Sequence, residues 1–310
     1  MYVNITYAFS FLTTFTFVTG YLRLAELAIR AGRGGEASKW LAQAVEVDAD
    51  EPDTNICLAD IQLRCADLEQ AKKTYEKVCV NTRHDARAMI ALGNFYFSTL
   101  NSDDPKYESN LASSYKFYHL VLTEDIRNVY ASVGLGMVIA ESQELQAARD
   151  IFTRIREESF EQSLDVGINL AHVHGAQNKW SEAEHLYESA SRLLIASGHA
   201  GKLADVSEWI ALSRLAGKRH RESLQSLLNG IHLDPTSIVR WFNVGVVTRD
   251  HALDLHDKHG RADVYELEAA VQSTDAAQRA LAFVERSSMK KDLKLRAGNL
   301  SKTCRVCLFS

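Results

Sequence analysis

Two consecutive stretches of this chain carry the same spacing of small and aromatic residues, and a repeated spacing restricts the fold more than any single motif. In one, Leu135-Gly136 precedes Ala148, Phe152 and Ile155; in the other, Leu170-Ala171 precedes Ala183, Tyr187 and Ala190. In both, the small residue stands twelve positions before an alanine, which is followed at four by an aromatic and at seven by another packing residue. Steps of three and four place side chains on one helix face. The pattern is therefore a helix, a tight turn and a second helix, made twice. Gly136 and Ala171 have the size needed where two helices cross closely, Ala148 and Ala183 fill the facing position, and Phe152 and Tyr187 wedge against the neighbouring unit.

A hairpin of this kind cannot cover its own apolar face, so further copies should flank the pair. Toward the N-terminus the small residue recurs at Gly93, Ala59 and Ala25, at separations of 43, 34 and 34 residues from Gly136; toward the C-terminus it recurs at Ala211 and Gly245, 40 and 34 residues on from Ala171. The facing residue falls at Ala37, Ala71, Ser114, Ala148, Ala183, Ser223 and Ala277. Seven units fit in register. Their period resembles that of the tetratricopeptide repeat, about 34 residues. The expected fold is all-α, an α-solenoid of about seven such helix-turn-helix units, which the resemblance makes a right-handed superhelix. It should occupy residues 20–288, between an atypical N-terminal segment, 1–19, and a basic, poorly ordered tail, 289–310. Tyr118 takes the aromatic position of the third unit, and Ala25, Ala37, Ala59, Ala71, Gly93, Ala211 and Gly245 complete the expected packing set.

Breaks in the pattern mark turns and insertions. The run Gly32-Arg33-Gly34-Gly35 should end the first helix, and Asp234-Pro235 should close the sixth unit, since proline cannot continue a helix. Residues 98–110, with Asp103-Asp104-Pro105, read as an exposed acidic loop. Residues 197–203, with Gly198 and Gly201, read as a second insertion, and the charged, histidine-bearing stretch 249–273 as an extension of the seventh unit's helix.

Chemistry is sparse. With 46% hydrophobic and 24% charged residues and 3 prolines, the chain describes an ordinary helical protein. A net charge of -5 gives no overall basic field, which argues against direct nucleic-acid binding by the whole surface. The odd set Cys57, Cys65, Cys79, Cys304 and Cys307 argues against a secreted disulfide framework, and Cys304-Arg-Val-Cys307 is a lone CxxC without partner ligands. Residues 1–19 carry no charge, six aromatics and five threonines. They lack the basic start and small-residue cleavage site of a signal peptide and are too short and hydroxyl-rich for a membrane span, so we expect a cap packed on the first repeat. A signal or anchor, or a misplaced start of the reading frame, are the other two readings. Lys290, Lys291, Lys294 and Arg296 read as a solvated helix end. Gly134-Leu-Gly136 is no nucleotide loop, because it follows no strand and has no third spaced glycine. His172 and His174 point to different faces of one helix, His185 lies on another, and His251, His256 and His259 sit in the charged insertion. No catalytic residue, metal ligand set, cofactor or small-molecule substrate is expected.

Several segments resemble a particular family. Gly20-Tyr-Leu-Arg-Leu-Ala25, Glu36-Ala-Ser-Lys-Trp40, Ala91-Leu-Gly-Asn-Phe-Tyr96, Asn128-Val-Tyr-Ala131, Ala148-Arg-Asp-Ile-Phe152 and Asn169-Leu-Ala-His172 are similar to the tetratricopeptide scaffold subunit of the RNA polymerase II-associated factor complex, the Paf complex. The resemblance spans about residues 20–288, including the places of the third-unit loop and the seventh-unit insertion. It implies a nuclear, non-enzymatic scaffold in transcription elongation and coupled histone modification, holding other Paf complex subunits and the RNA polymerase II machinery. Family members are much longer, with more repeats before this region and a charged tail after it.

In a tetratricopeptide superhelix the first helices line the concave face. Polar residues there, beside the small packing residue, are candidates for peptide contact: Asn94, Asn169, His172, Arg240 and Asn243. An asparagine amide can serve both the donors and the acceptors of an extended backbone. The alternative function is a cytosolic cochaperone-like adaptor that grips a partner's C-terminal carboxylate. Its clamp places a lysine four residues before the asparagine of Gly-Asn, where this chain has Ile90. A buried carboxylate without that cation is costly.

Overall fold

A computed structural model describes residues 18–29, 31–48, 52–64, 67–82, 85–101, 103–158, 164–256 and 264–287, with Ala297 and Leu300 beyond them. Every regular element among them is a helix. They run α1 (residues 18–29), α2 (Gly34–Val47), α3 (Pro52–Arg64), α4 (Leu68–Asn81), α5 (Ala86–Ser98), α6 (Tyr107–Glu124), α7 (Val129–Glu141), α8 (Leu145–Glu158), α9 (Leu164–Ala176), α10 (Trp180–Ser197), α11 (Ala200–Ala216), α12 (His220–Leu233), α13 (Ile238–His256) and α14 (Val264–Ser287). No helix among the described residues is long and apolar enough to cross a membrane. The expectations for most of residues 1–19, for the cluster from Lys290 to Arg296, for Cys65, Cys304 and Cys307, and for His259 fall outside the described residues.

The chain divides into two compact units, Met1–Glu144 and Leu145–Ser310. In the first, α1, α2 and α3 share a cluster of Ala25, Ala28, Ala37, Leu41 and Ile61. Then α4 packs on both α3 and α5, α6 packs on both α5 and α7, and the alternate helices α3, α5 and α7 touch in succession. In the second unit α10 packs on α9 and α11, and α12 on α11 and α13. Within each unit, α4, α6, α10 and α12 thus cover their own first helix and the next one. That is how stacked repeats bury faces that a single hairpin leaves open. The fold is a tetratricopeptide α-solenoid, as the sequence pattern requires.

The small residues are buried in every unit: Ala25, Ala37, Ala59, Ala71, Ala148, Ala171, Ala183, Ala211 and Ala277 among the alanines, and Gly93, Gly136 and Gly245 among the glycines. A Cβ on Gly93 would lie 2.7 Å from the Tyr118 ring, and one on Gly245 2.6 Å from Leu281. Where the facing residue is serine it is also a donor. The Ser114 hydroxyl donates to the Gly93 carbonyl at 3.0 Å, and that of Ser223 to Ala211 at 2.7 Å. The aromatic position is filled by buried Tyr75, Tyr118, Phe152 and Tyr187.

Turn chemistry is equally repetitive. Gly32, Asn178 and Lys218 adopt left-handed φ of 72°, 61° and 57° just past α1, α9 and α11. In each case the left-handed residue donates to a carbonyl three back and the next residue to one five back, as from Gly32 to Ile29 and Arg33 to Ala28. This is the Schellman closure, which satisfies the last carbonyls of a helix. It recurs with lysine and asparagine where glycine would be easiest.

Three boundaries differ from the sequence expectation. Gly34 and Gly35 lie inside α2, because Gly32 alone supplies the turn. The acidic loop ends at Lys106, since Tyr107 already begins α6 and bonds through its hydroxyl to Glu141 at 2.6 Å. The insertion near 197–203 is not a loop: Gly198 caps α10, Ala200 begins α11, and the extra residues lengthen those two helices. The stretch 249–273 belongs to the long helices α13 and α14, apart from residues 257–263, which lie outside the described set.

Candidate partner-binding surface

The first helices carry their polar side chains at recurring positions, and the position just after the small residue follows a rule. In the second, third and fifth repeats the aromatic of the second helix is tyrosine, and its hydroxyl reaches that position. Tyr75 donates to Asp60, Tyr118 donates to Asn94 at 2.7 Å, and Tyr187 pairs with His172 Nδ1 at 2.7 Å. In the fourth, sixth and seventh repeats the aromatic position is Phe152, Leu227 or Leu281, which offers no hydroxyl. The partner position is then apolar: Met137, Leu212 or Val246. The match is physical, since a buried phenol needs an acceptor and a phenyl or isobutyl group would strand one. The first repeat, Leu41 with Glu26, departs from the rule. Burial pushes all three phenols up, Tyr118 to about 12, so they remain neutral donors.

In the first compact unit the surface built on α3, α5 and α6 is aromatic. Asn94 is exposed, with its amide oxygen taken by Tyr118. Tyr96 stacks on Phe117 at 5.8 Å, Phe95 meets Tyr75 and Tyr96, and the Lys72 ammonium lies 5.5 Å from the Tyr96 ring. Ile90, at the clamp lysine's place, packs against the hydrophobic core. Nearby, Cys57 is a free thiol that burial, with Asp60, Asp53 and Glu26, pushes up to about 11.

In the second unit the equivalent surface on α9, α11 and α13 mixes rings and charges. The His172 ring stands edge-on to Trp209 at 4.4 Å and contacts Tyr187 at 5.5 Å. Desolvation by these neighbours lowers the His172 pKa, so the neutral imidazole is the form at physiological pH. In the tautomer with its proton on Nε2, His172 accepts the Tyr187 hydroxyl at Nδ1 and presents one N–H donor. Asn169, one turn before it, is half-buried beside Ile168 and Leu170. Leu212, at 53% exposure, adds an apolar contact surface.

Arg240 and Asn243 are placed differently from the other candidates. Arg240 is buried, with its guanidinium 2.5 Å from Asp205, 2.5 Å from Asp234 and 3.6 Å from Glu208. Asn243 donates to Glu208. Burial raises the Glu208 pKa, and Arg240 with the Asn243 hydrogen bond opposes that rise. Both side chains therefore tie α13 to α11, Arg240 from a buried position and Asn243 from a half-buried one. The sequence concealed this because the acids lie 35 and 32 residues upstream. Further ties one repeat apart join Arg87 to Asp53 at 2.6 Å, Lys202 to Asp165 at 3.3 Å, Arg219 to Glu184, and His220 to Asp254 at 3.2 Å. No group of three or more metal-ligating side chains occurs among the described residues.

Gly134 has a packing role absent from the sequence reading, which weighed it only as part of a nucleotide loop. A Cβ there would stand 2.4 Å from the Tyr118 ring, closer than at Gly93, so the two glycines clamp one tyrosine from α5 and α7. The signal was present as a second small residue two before Gly136.

No family model matches the chain. It is 29% identical over 273 residues to the protein CTR9 homolog of Arabidopsis thaliana, an alignment covering 85% of this chain and 24% of that protein. It is 30% identical over 183 residues to the RNA polymerase-associated protein CTR9 of Caenorhabditis elegans, covering 57% of this chain and 16% of that one. The chain thus spans about a quarter or less of the curated relatives it matches. Among solved structures, a tetratricopeptide repeat protein of Parabacteroides merdae superposes with a TM-score of 0.58 at 12% identity, over 93% of this chain and 99% of that one. A thermophilic tetratricopeptide protein of Thermus thermophilus superposes with a TM-score of 0.55 at 18% identity, over 64% of this chain and 99% of that one. These likenesses concern the fold alone, whereas the sequence matches make the chain homologous to the CTR9 proteins.

Proposed function

We propose that this homologue of the CTR9 proteins acts as a non-enzymatic scaffold in an RNA polymerase-associated assembly in the nucleus. Its partners are the other subunits of the Paf complex and, through them, RNA polymerase II in elongation, with coupled histone modification as the downstream effect. The observation that carries this reading is the 29% identity sustained over 273 residues, nearly the whole repeat array. The geometry supports it, because a stack of hairpins offers long surfaces of fixed spacing. Asn94, Asn169 and His172, on first helices, are the proposed contacts of an extended partner segment. Arg240 and Asn243 hold the repeats that present them.

Affinity purification of the tagged protein from nuclear and cytosolic fractions, read by mass spectrometry, tests this function. The expected result is recovery of elongation-complex subunits from the nuclear fraction. Recovery of chaperones from cytosol in their place would remove the reading in favour of a cochaperone-like adaptor.

A further inference from the structure

Every first helix after α1 packs against the helix just before it in the chain: α3 on α2, α5 on α4, α7 on α6, α9 on α8, α11 on α10 and α13 on α12. The face it uses has a fixed spacing. Counted from the small residue of each repeat, the positions five before, one before and two after step by four and three, so they share one side of a helix. Two after the small residue stand Ile61, Phe95, Val138, Val173, Ser213 and Val247, all buried. Five before it stand Thr54, Ala88, Ala131, Val166, Val206 and Arg240, buried as well.

In α1 the same three positions are Gly20, Leu24 and Leu27. Leu27 is 59% exposed and Leu24 42%, and a Cβ on Gly20 would meet nothing within 4 Å. The other side of α1 is packed as elsewhere, with Ala25 and Ala28 in one cluster with Ala37 and Leu41 of α2. A single exposed leucine needs no explanation, but two at positions that later repeats cover mark one half of an interface.

The later interfaces show what fits such a face. The cover is always the stretch immediately upstream, and it contributes apolar side chains. Val78 and Cys79 of α4 cluster with Ala88, Leu92 and Phe95 of α5, and Ala190 and Leu194 of α10 with Val206 and Ile210 of α11. Immediately upstream of α1 stand residues 1–17, which contain Tyr2, Tyr7, Phe9, Phe11, Phe15 and Phe17 and no charged residue. At 17 residues this stretch matches the length of α4, 14 residues, with a short turn after it.

We propose that residues 1–17 fold back over Gly20, Leu24 and Leu27, their aromatic side chains taking the place that the preceding second helix fills at every later repeat. The segment is an end cap that withdraws this face from the surfaces open to partners, as a terminal unit of a stack requires. The proposal is independent of which proteins the array binds.

Photocrosslinking of the full chain tests it. Leu27→benzoylphenylalanine should crosslink within one chain to residues 1–13, beyond the adjoining turn, as read by mass spectrometry of the monomer. Glu26→benzoylphenylalanine, on another side of α1, should not. A product of twice the mass gives the face to a second copy and overturns the proposal. So does equal crosslinking from both positions, or none from position 27. Leu27→Asp should lower the melting midpoint by roughly 4 °C or more, and so should Phe9→Asp combined with Phe11→Asp and Phe15→Asp. All four substitutions together should cost no more than the larger of these two drops, because both lesions break one contact. Additive drops, or no drop from Leu27→Asp, also overturn it. Neither measurement involves another protein, so the cap can fail while recovery of elongation subunits still stands, and the reverse.

Discussion

The two compact units join successive repeats by different means. Around α5 and α6 the joint is made of rings: Tyr118 lies between Gly93 and Gly134, and Tyr75, Phe95, Tyr96 and Phe117 meet in sequence. Around α11 and α13 it is made of charges, with Arg240 bound by Asp205, Glu208 and Asp234, and Arg214 and Arg219 closing on Glu184. A ring joint depends on volume and is indifferent to salt. An ionic joint depends on every partner being present, because desolvation offsets much of its attraction. The same architecture is therefore held by shape around α5 and α6, and by neutralisation as well as apolar packing around α11 and α13.

The largest expected effect breaks the ring joint. Tyr118→Ala removes a ring exposed by only 1% and leaves a void between two glycines, so chemical denaturation should register a loss of about 3–5 kcal/mol, little changed by salt. A loss below about 1 kcal/mol would mean that the clamp contributes nothing to stability.

Arg240→Ala comes next. It strands three carboxylates, but Asp205 and Asp234 are partly exposed and water can replace the lost cation there. The expected loss is about 2–3 kcal/mol by the same measurement. A neutral result would reduce Arg240 to an ornamental ion pair and restore it as a candidate for partner contact.

Acidification separates the units further, because the lowered histidines lie in the second. Burial lowers the pKa of both His172 and His174, so the folded protein takes up these protons less readily than the unfolded chain. Their contribution is complete above the unfolded value of about 6.5 and is lost as pH falls through the lower folded values. Denaturation midpoints should drop on mild acidification, and by less in His172→Gln. An identical drop in that variant would count against the Tyr187–His172 pairing.

The smallest effect belongs to the exposed tie of the first unit. Arg87 is 62% exposed in its pair with Asp53, so Arg87→Ala should cost under about 1 kcal/mol and nothing measurable at high salt. A larger cost that persists in salt would show that ions matter in both units.

The hairpins themselves were legible, because small residues twelve apart report a crossing between adjacent helices, and that is local information. So was the aromatic wedge at Tyr118, Phe152 and Tyr187. The left-handed turns at Asn178 and Lys218 were not, since residues other than glycine can close a helix when the geometry around them is fixed. Arg240 was misplaced for a different reason: an arginine on a first helix looks solvent-facing until the acids of the preceding repeat are brought beside it. Gly134 was hidden by its neighbour Gly136, which matched the register and drew the attention. The hydroxyl rule on Tyr75, Tyr118 and Tyr187 was written in the chain but spans two helices, so it emerges only when the repeats are laid side by side.

That rule has a consequence for how the surface can change. Asp60 and His172 each answer to a tyrosine fifteen residues later, and Asn94 to one across the longer third hairpin. Exchanging such a residue for a greasy one would leave a phenol with nothing to hold, unless the ring lost its oxygen in the same step. Altering what this face recognises is thus a two-letter edit, with the second letter written out of sight behind the first.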